Sequence, residues 1–186
     1  MRAEVYATSA VILLTMFGCS RLASSTEPAG SPGQKAANSF KPYKDPKQRF
    51  EIQDVALIKD YVDARSTIEK LPAKLRPSDP EHSKTVVIQL LLASEKADLN
   101  EMNSSEFPLR YQLGGKEIDV LCVGFSMGDS DMWGLAEKED HSIFVRAKPP
   151  QKQRLLFLVP SAVNEGSLLH NVPGESPATI ASGIRF

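Results

Sequence analysis

The sequence predicts an all-β sandwich of about seven to eight strands, with one short helix in an insert at residues 58–71. Three observations predict it. Short apolar runs rich in β-branched residues recur at close spacing through residues 50–182, TVVIQLLLAS at 85–94 being the strongest. Thirteen prolines and eleven glycines supply many turns. The 186 residues, 41% hydrophobic and 24% charged, suffice for one ordinary core.

The elements follow in order. Residues 50–57, FEIQDVAL, read as a first strand of imperfect alternation. Ile58, Tyr61, Val62, Ile68 and Leu71 stand at near-helical spacing, and Pro72 stops that helix. RPSDPEHS at 76–83 is a loop, 85–94 a strand and EKADLNEMNSSE a polar connection. Residues 107–112 form a strand, Gly114-Gly115 a hairpin turn and 116–125 the returning strand. Residues 142–147, 154–159, 167–172 and 177–182 complete the set. In IDVLCVGF both faces are apolar, whereas a strand with one solvated face should alternate. Either a parallel α/β sheet or a helix or loop laid over the outer face of a sandwich would explain it.

The first 18 residues have the form of a signal peptide. An uncharged run from Val5 to Gly18 is too short to cross a bilayer, which takes about 20 apolar residues. It ends at Gly18-Cys19, which resembles the lipobox of bacterial lipoproteins, with Met16 and Phe17 at the preceding positions. That resemblance implies a lipidated Cys19 at the mature N-terminus, and Ser20 after it is compatible with an outer-membrane or surface location. An ordinary cleaved secretory signal, with Cys19 lost or left as a free thiol, and a cytoplasmic protein with an apolar first helix are the alternatives. Residues 19–46 are rich in Ser, Ala, Gly, Pro and Lys without apolar period, and read as a flexible linker. The folded domain is therefore expected at 47–186.

A net charge of −1 gives no global field for nucleic acid, and no basic stripe is present. GFSMG at 124–128 matches the G-x-S-x-G nucleophile elbow. A hydrolase built on it would use Ser126 with His170 and Asp140; His141, Asp129 and Asp131 also follow the serine. The elbow needs a helix directly after the serine, several β-α repeats before it and an oxyanion stretch, and the sequence offers none of them. A strand end followed by a loop is the expected reading, and no catalytic residue is assigned. GDSDMWG matches half of a calcium loop through Asp129 and Asp131, but Trp133 holds a ligand position. A solvated acidic loop is expected, with no metal and no cofactor. His82, His141 and His170 have no zinc spacing. With Cys19 lipidated, Cys122 would be left as a buried core thiol. Trp133 is read as a core plug or edge cover.

An early strand, then TVVIQLLLAS, SSEFPLRYQLGGKEI and RLLFLVPSAV, is similar to a family of immunoglobulin-like domains in uncharacterised bacterial lipoproteins and secreted antigens. The resemblance covers most of residues 50–182 and carries no catalytic residues. It implies a non-enzymatic envelope module. Together with the lipobox this gives the expectation of a module bound to the membrane through the Cys19 lipid, whose loops at one end of the sandwich meet a partner such as an envelope protein. The small serine hydrolase is the alternative, and a periplasmic subunit of a larger envelope machine is a third class.

Overall fold

The computed structural model describes residues 39–58, 62–93, 100–128, 132–137, 144–147 and 151–186. In chain order the strands are β1 (Ser39–Phe40), β2 (Tyr43–Lys44), β3 (Glu51–Ile58), β4 (Ser83–Ala93), β5 (Asn100–Asn103), β6 (Leu109–Leu113) and β7 (Lys116–Val120). Then come β8 (Gly124–Met127), β9 (Gly134–Leu135), β10 (Phe144–Ala147), β11 (Gln151–Pro160), β12 (Glu165–His170) and β13 (Ala178–Arg185). Among the described residues there is one α-helix, α1 (Ala64–Lys70), which follows β3. The strands make a five-stranded sheet, β1-β13-β12-β6-β7, and a six-stranded sheet, β2-β3-β4-β11-β8-β9, every pairing antiparallel. A separate ribbon pairs β5 with β10.

Two open sheets face each other across one apolar core. Ile52, Ile88, Leu90, Leu155 and Phe157 of the six-stranded sheet share a buried cluster with Leu109, Leu168, Ile180 and Ile184 of the other. Each such side chain contributes roughly 1.5–3 kcal/mol when fully buried. The opposite face of the six-stranded sheet is also covered. Val87, Leu156, Leu158 and Val123 pack there with Ile68, Leu71 and Leu75. The alternation of β11 now has its reason: Leu155 and Phe157 face one cluster, Leu156 and Leu158 the other.

Helix α1, at seven residues, is too short to be stable alone. It starts where the Asp63 carboxylate accepts the Ser66 N–H at 2.8 Å and ends at Leu71 before Pro72. The helix expected over 58–71 is thus shorter at its start, because Ile58 is the last residue of β3, paired with Val87.

The single strand expected at 116–125 is two strands. β7 ends at Val120 in one sheet, the chain crosses over, and β8 starts at Gly124 in the other. Cys122 falls in the inner cluster and Val123 in the outer one. Neither explanation for the doubly apolar IDVLCVGF holds for a single strand: the run changes sheet after Val120, and on entering the six-stranded sheet it meets that sheet's two covered faces, with Phe125 in the inner cluster and Val123 in the outer one; the described strands form no parallel sheet. The turn between β6 and β7 is as expected, Gly114 and Gly115 both having positive φ (59° and 77°), as a tight two-residue hairpin requires.

The strands outnumber those expected because the extra ones are short. β1 and β2 lie in the stretch read as linker, yet β1 pairs with β13 and β2 with β3. The N-terminal segment therefore joins both sheets as a strap, and residues 39–46 belong to the fold. β5 lies in the stretch read as a polar connection.

Gln153 of β11 lies on the face of Leu155 and Phe157 and is fully buried, with neither side-chain amide atom hydrogen-bonded among the described residues. A sealed, unpaired amide costs about 1–3 kcal/mol. Gln153→Met, close to it in volume, is expected to raise unfolding stability by about that amount. Urea unfolding checks this; an unchanged or lowered midpoint would contradict the assignment.

Candidate functional site

The structure separates the residues that a serine hydrolase would combine. Ser126 is a mid-strand residue of β8, 2% exposed and in register with Arg154 of β11. G-F-S-M is strand rather than a strand-to-helix turn, so the motif does not form an elbow. His170 ends β12 in the other sheet. Asp140, His141, Asp129, Asp131 and Cys19 lie outside the described residues.

His170 is the centre of the most distinctive polar cluster. It is completely buried, stacked on Phe107 at 4.9 Å between ring centres, with Phe50 and Tyr43 edge-on at 5.5 Å. Its Nε2 lies 3.3 Å from Glu106 Oε2 and its Nδ1 2.8 Å from the Tyr43 hydroxyl. A carboxylate only accepts, so Nε2 carries the proton and Nδ1 accepts from Tyr43 O–H. Both ring nitrogens are then occupied.

Arg49 completes the cluster. Its guanidinium donates to Asp45 at 2.7 and 3.2 Å and to Glu106 at 2.7 and 3.2 Å. Its backbone N–H also donates to Asp45 Oδ2 at 3.0 Å. Asp45 sits in the hairpin loop between β2 and β3, whose turn needs Gln48 at φ 55°. Burial pushes the Asp45 carboxyl upward, but the Arg49 hydrogen bonds outweigh it and hold the carboxyl below its usual range. Burial pushes His170 below the ordinary imidazole value against the opposing pull of Glu106 and Asp45.

The order hydroxyl, imidazole, carboxylate resembles a catalytic relay, but the electrostatics oppose one. The Tyr43 hydroxyl is raised by burial, and further by Asp45 and Glu175, so it is a poorer nucleophile than a free phenol. The Glu106 charge is already engaged by Arg49. What the cluster does is join β2, its hairpin, the Ser104–Glu106 turn and the end of β12. Sequence reading missed Tyr43, Asp45, Arg49 and Glu106 because they lie in the supposed linker, at its edge and in a polar connection. Their only local signal is the Asp45–Arg49 spacing of four.

Other candidates resolve simply. Cys122 is fully buried, its thiol donates to the Gly124 carbonyl at 2.9 Å, and burial pushes its pKa up to about 12. It is an inert core thiol. Trp133 is half-buried against the outer cluster, covering the sheet. His82 is exposed and pairs with Asp79 at 3.0 Å. Among the described residues no group of His, Cys, Asp or Glu is arranged to hold a metal.

An open groove of about 420 Å³ lies at the other end of β12. The β6–β7 hairpin and the turn between β11 and β12 form its walls. The chain matches no protein-family model, no curated protein and no solved structure.

Proposed function

We propose that the protein is a lipid-anchored, immunoglobulin-like β-sandwich of a bacterial envelope, a non-enzymatic binding or structural module held to the membrane through Cys19. The observation that carries the non-enzymatic part is the use of its chemistry-bearing residues. His170 spends both nitrogens inside the fold, and Ser126 is sealed within a sheet. The anchor rests on the Gly18-Cys19 junction after an uncharged run of signal-peptide length. Partners follow from presentation: the tether gives reach, and one end of the sandwich meets an envelope ligand.

Fractionation after growth on labelled palmitate tests the anchor. Wild type is expected in the membrane fraction carrying label, and Cys19→Ser in the soluble fraction without it; unlabelled, soluble wild type would sink the anchor. A serine-directed covalent probe is expected not to label Ser126. Stoichiometric labelling that Ser126→Ala abolishes, with folding intact, would favour the hydrolase.

A further inference from the structure

We infer that the open edge of β7 is a docking site for an extended segment of another protein, one that carries a basic residue between apolar ones. The inference rests on the binding-module reading and locates a contact on a sheet edge, apart from the loops.

The other edges of the two described sheets are blunted. The outermost strands are β1 and β7 in one sheet and β2 and β9 in the other. β1, β2 and β9 are each two residues long. β13 and β3 run past β1 and β2, and both are bulged, β3 between Ile52 and Asp54 and β13 between Thr179 and Ile184. β9 leaves only Ser126 and Met127 of β8 beyond it. Short edge strands and bulges keep a sheet from recruiting another strand. β7 has neither device: it is five residues long and pairs with β6 without a register shift.

The backbone of β7 points outward at two positions. The two-residue turn at Gly114-Gly115 makes Leu113 and Lys116 a hydrogen-bonded pair. Alternation then gives Tyr111–Ile118 and Leu109–Val120 the other ladder bonds. The N–H and C=O groups of Glu117 and Asp119 therefore face away from β6. Among the described residues no other element takes them up. An added antiparallel strand would meet both residues with four backbone hydrogen bonds.

Charge beside the edge selects the occupant. Glu117 and Asp119 share the outer face of the sheet with Gln112 and Arg110 opposite them, while Ile118 and Val120 turn to the inner face. Arg110 grips Asp119 at 2.7 and 2.9 Å and lies 3.7 Å from Glu117. Glu117 otherwise accepts from the neutral Gln112 at 3.2 Å. One guanidinium thus serves two carboxylates, and Glu117, its side chain 61% exposed against 37% for Asp119, holds the excess. A residue of the added strand opposite Glu117 gains if basic and loses if acidic. Its neighbours fall opposite the inner face, where Ile118 and Val120 are half-buried and Leu113 is 39% exposed. Apolar side chains there extend the core. A second copy of the chain fits worse, because two β7 strands antiparallel about Ile118 set Glu117 of each against Asp119 of the other.

The test is an NMR titration of the full chain in a non-ionic detergent. The probes are the synthetic peptide acetyl-Ser-Val-Thr-Val-Lys-Val-Ser-amide and the same peptide with Glu in place of Lys. The Lys peptide is expected to shift the amides of Glu117 and Asp119 saturably, and the Glu peptide to bind at least about 3-fold more weakly. Glu117→Lys is expected to reverse that preference. Asp119→Pro removes an outward N–H and spares the ladder to β6, so it is expected to keep the spectrum of the fold and abolish binding. The inference is overturned by no saturable shift at about 1 mM of the Lys peptide, by shifts centred away from β7, by equal binding of the two peptides, or by an unreversed preference in Glu117→Lys. Folded Asp119→Pro that binds as wild type does would overturn it too, and so would a peptide-free dimer that Asp119→Pro dissolves, which gives the edge to a second copy. Should Asp119→Pro not fold, the reversal in Glu117→Lys decides. A failure with Cys19 anchoring intact removes the docking edge and leaves the anchored module standing; serine labelling would remove the module itself.

Discussion

A chain that begins at Lys47, where the composition changes, is expected to be severely destabilised. The cut removes β1 and β2, so both sheets lose an edge strand. It removes Tyr43, the donor to His170 Nδ1, which then stays buried and unpaired. It also removes Asp45, whose side chain is fully buried, and leaves Arg49 with Glu106 alone. Deleting one partner of a buried ion pair costs about 3–5 kcal/mol. Arg49 is 24% exposed and partly screened, which lowers that figure, while lost burial of Phe40 and Tyr43 restores some of it. Against a typical total of about 5–15 kcal/mol the loss is large. A melting temperature at least about 10 °C below that of a chain starting upstream of Ser39 is the expected result. Equal melting temperatures would mean that the strap is ornamental.

The second large effect is a loss of stability in mild acid that depends on His170. The groups facing the imidazole are Tyr43, Asp45, Arg49 and Glu106, with Glu175 near Tyr43. Burial lowers the His170 pKa, with Arg49 adding to it, while Glu106 and Asp45 partly oppose. The native state therefore holds a neutral ring, whereas the unfolded chain takes up a proton near pH 6.5. The contribution is fully present above about pH 6.5 and is lost as pH falls from there through the lower folded value. The Asp45 contribution persists to lower pH, because its folded carboxyl lies below the ordinary carboxylate range. His170→Gln is expected to remove the upper window and to cost about 2–4 kcal/mol at neutral pH, since ring stacking and one or both hydrogen bonds go. Urea unfolding at pH 7.5 and 5.5 compares the two proteins; the same pH slope in both would contradict the assignment.

The long elements were legible because their patterns are local. TVVIQLLLAS and RLLFLVP are strands by residue type alone, and the double glycine fixes the β6–β7 turn. The end of IDVLCVGF was not, because a chain that changes sheet keeps its apolar run while its faces change owner. Two-residue strands such as β1 and β2 are too short for any period, and only their partners in β13 and β3 make them strands. The cluster at His170 was illegible for the same reason. Tyr43 and Glu106 stand far from His170 in sequence, and no local pattern joins them. GFSMG misled in the opposite direction, a local match whose tertiary setting is a strand.

The most direct test of the claim that the protein's chemistry-bearing residues are spent on its fold is a long-range ¹H–¹⁵N spectrum of the His170 imidazole across neutral pH. The expected spectrum shows a proton on Nε2, an unprotonated Nδ1 accepting a hydrogen bond, and no titration near the ordinary imidazole pKa. A ring that titrates there, or that carries its proton on Nδ1, would mean that His170 is free to act as a base, and the account of the cluster as a joint between the strap and the sheets would fail.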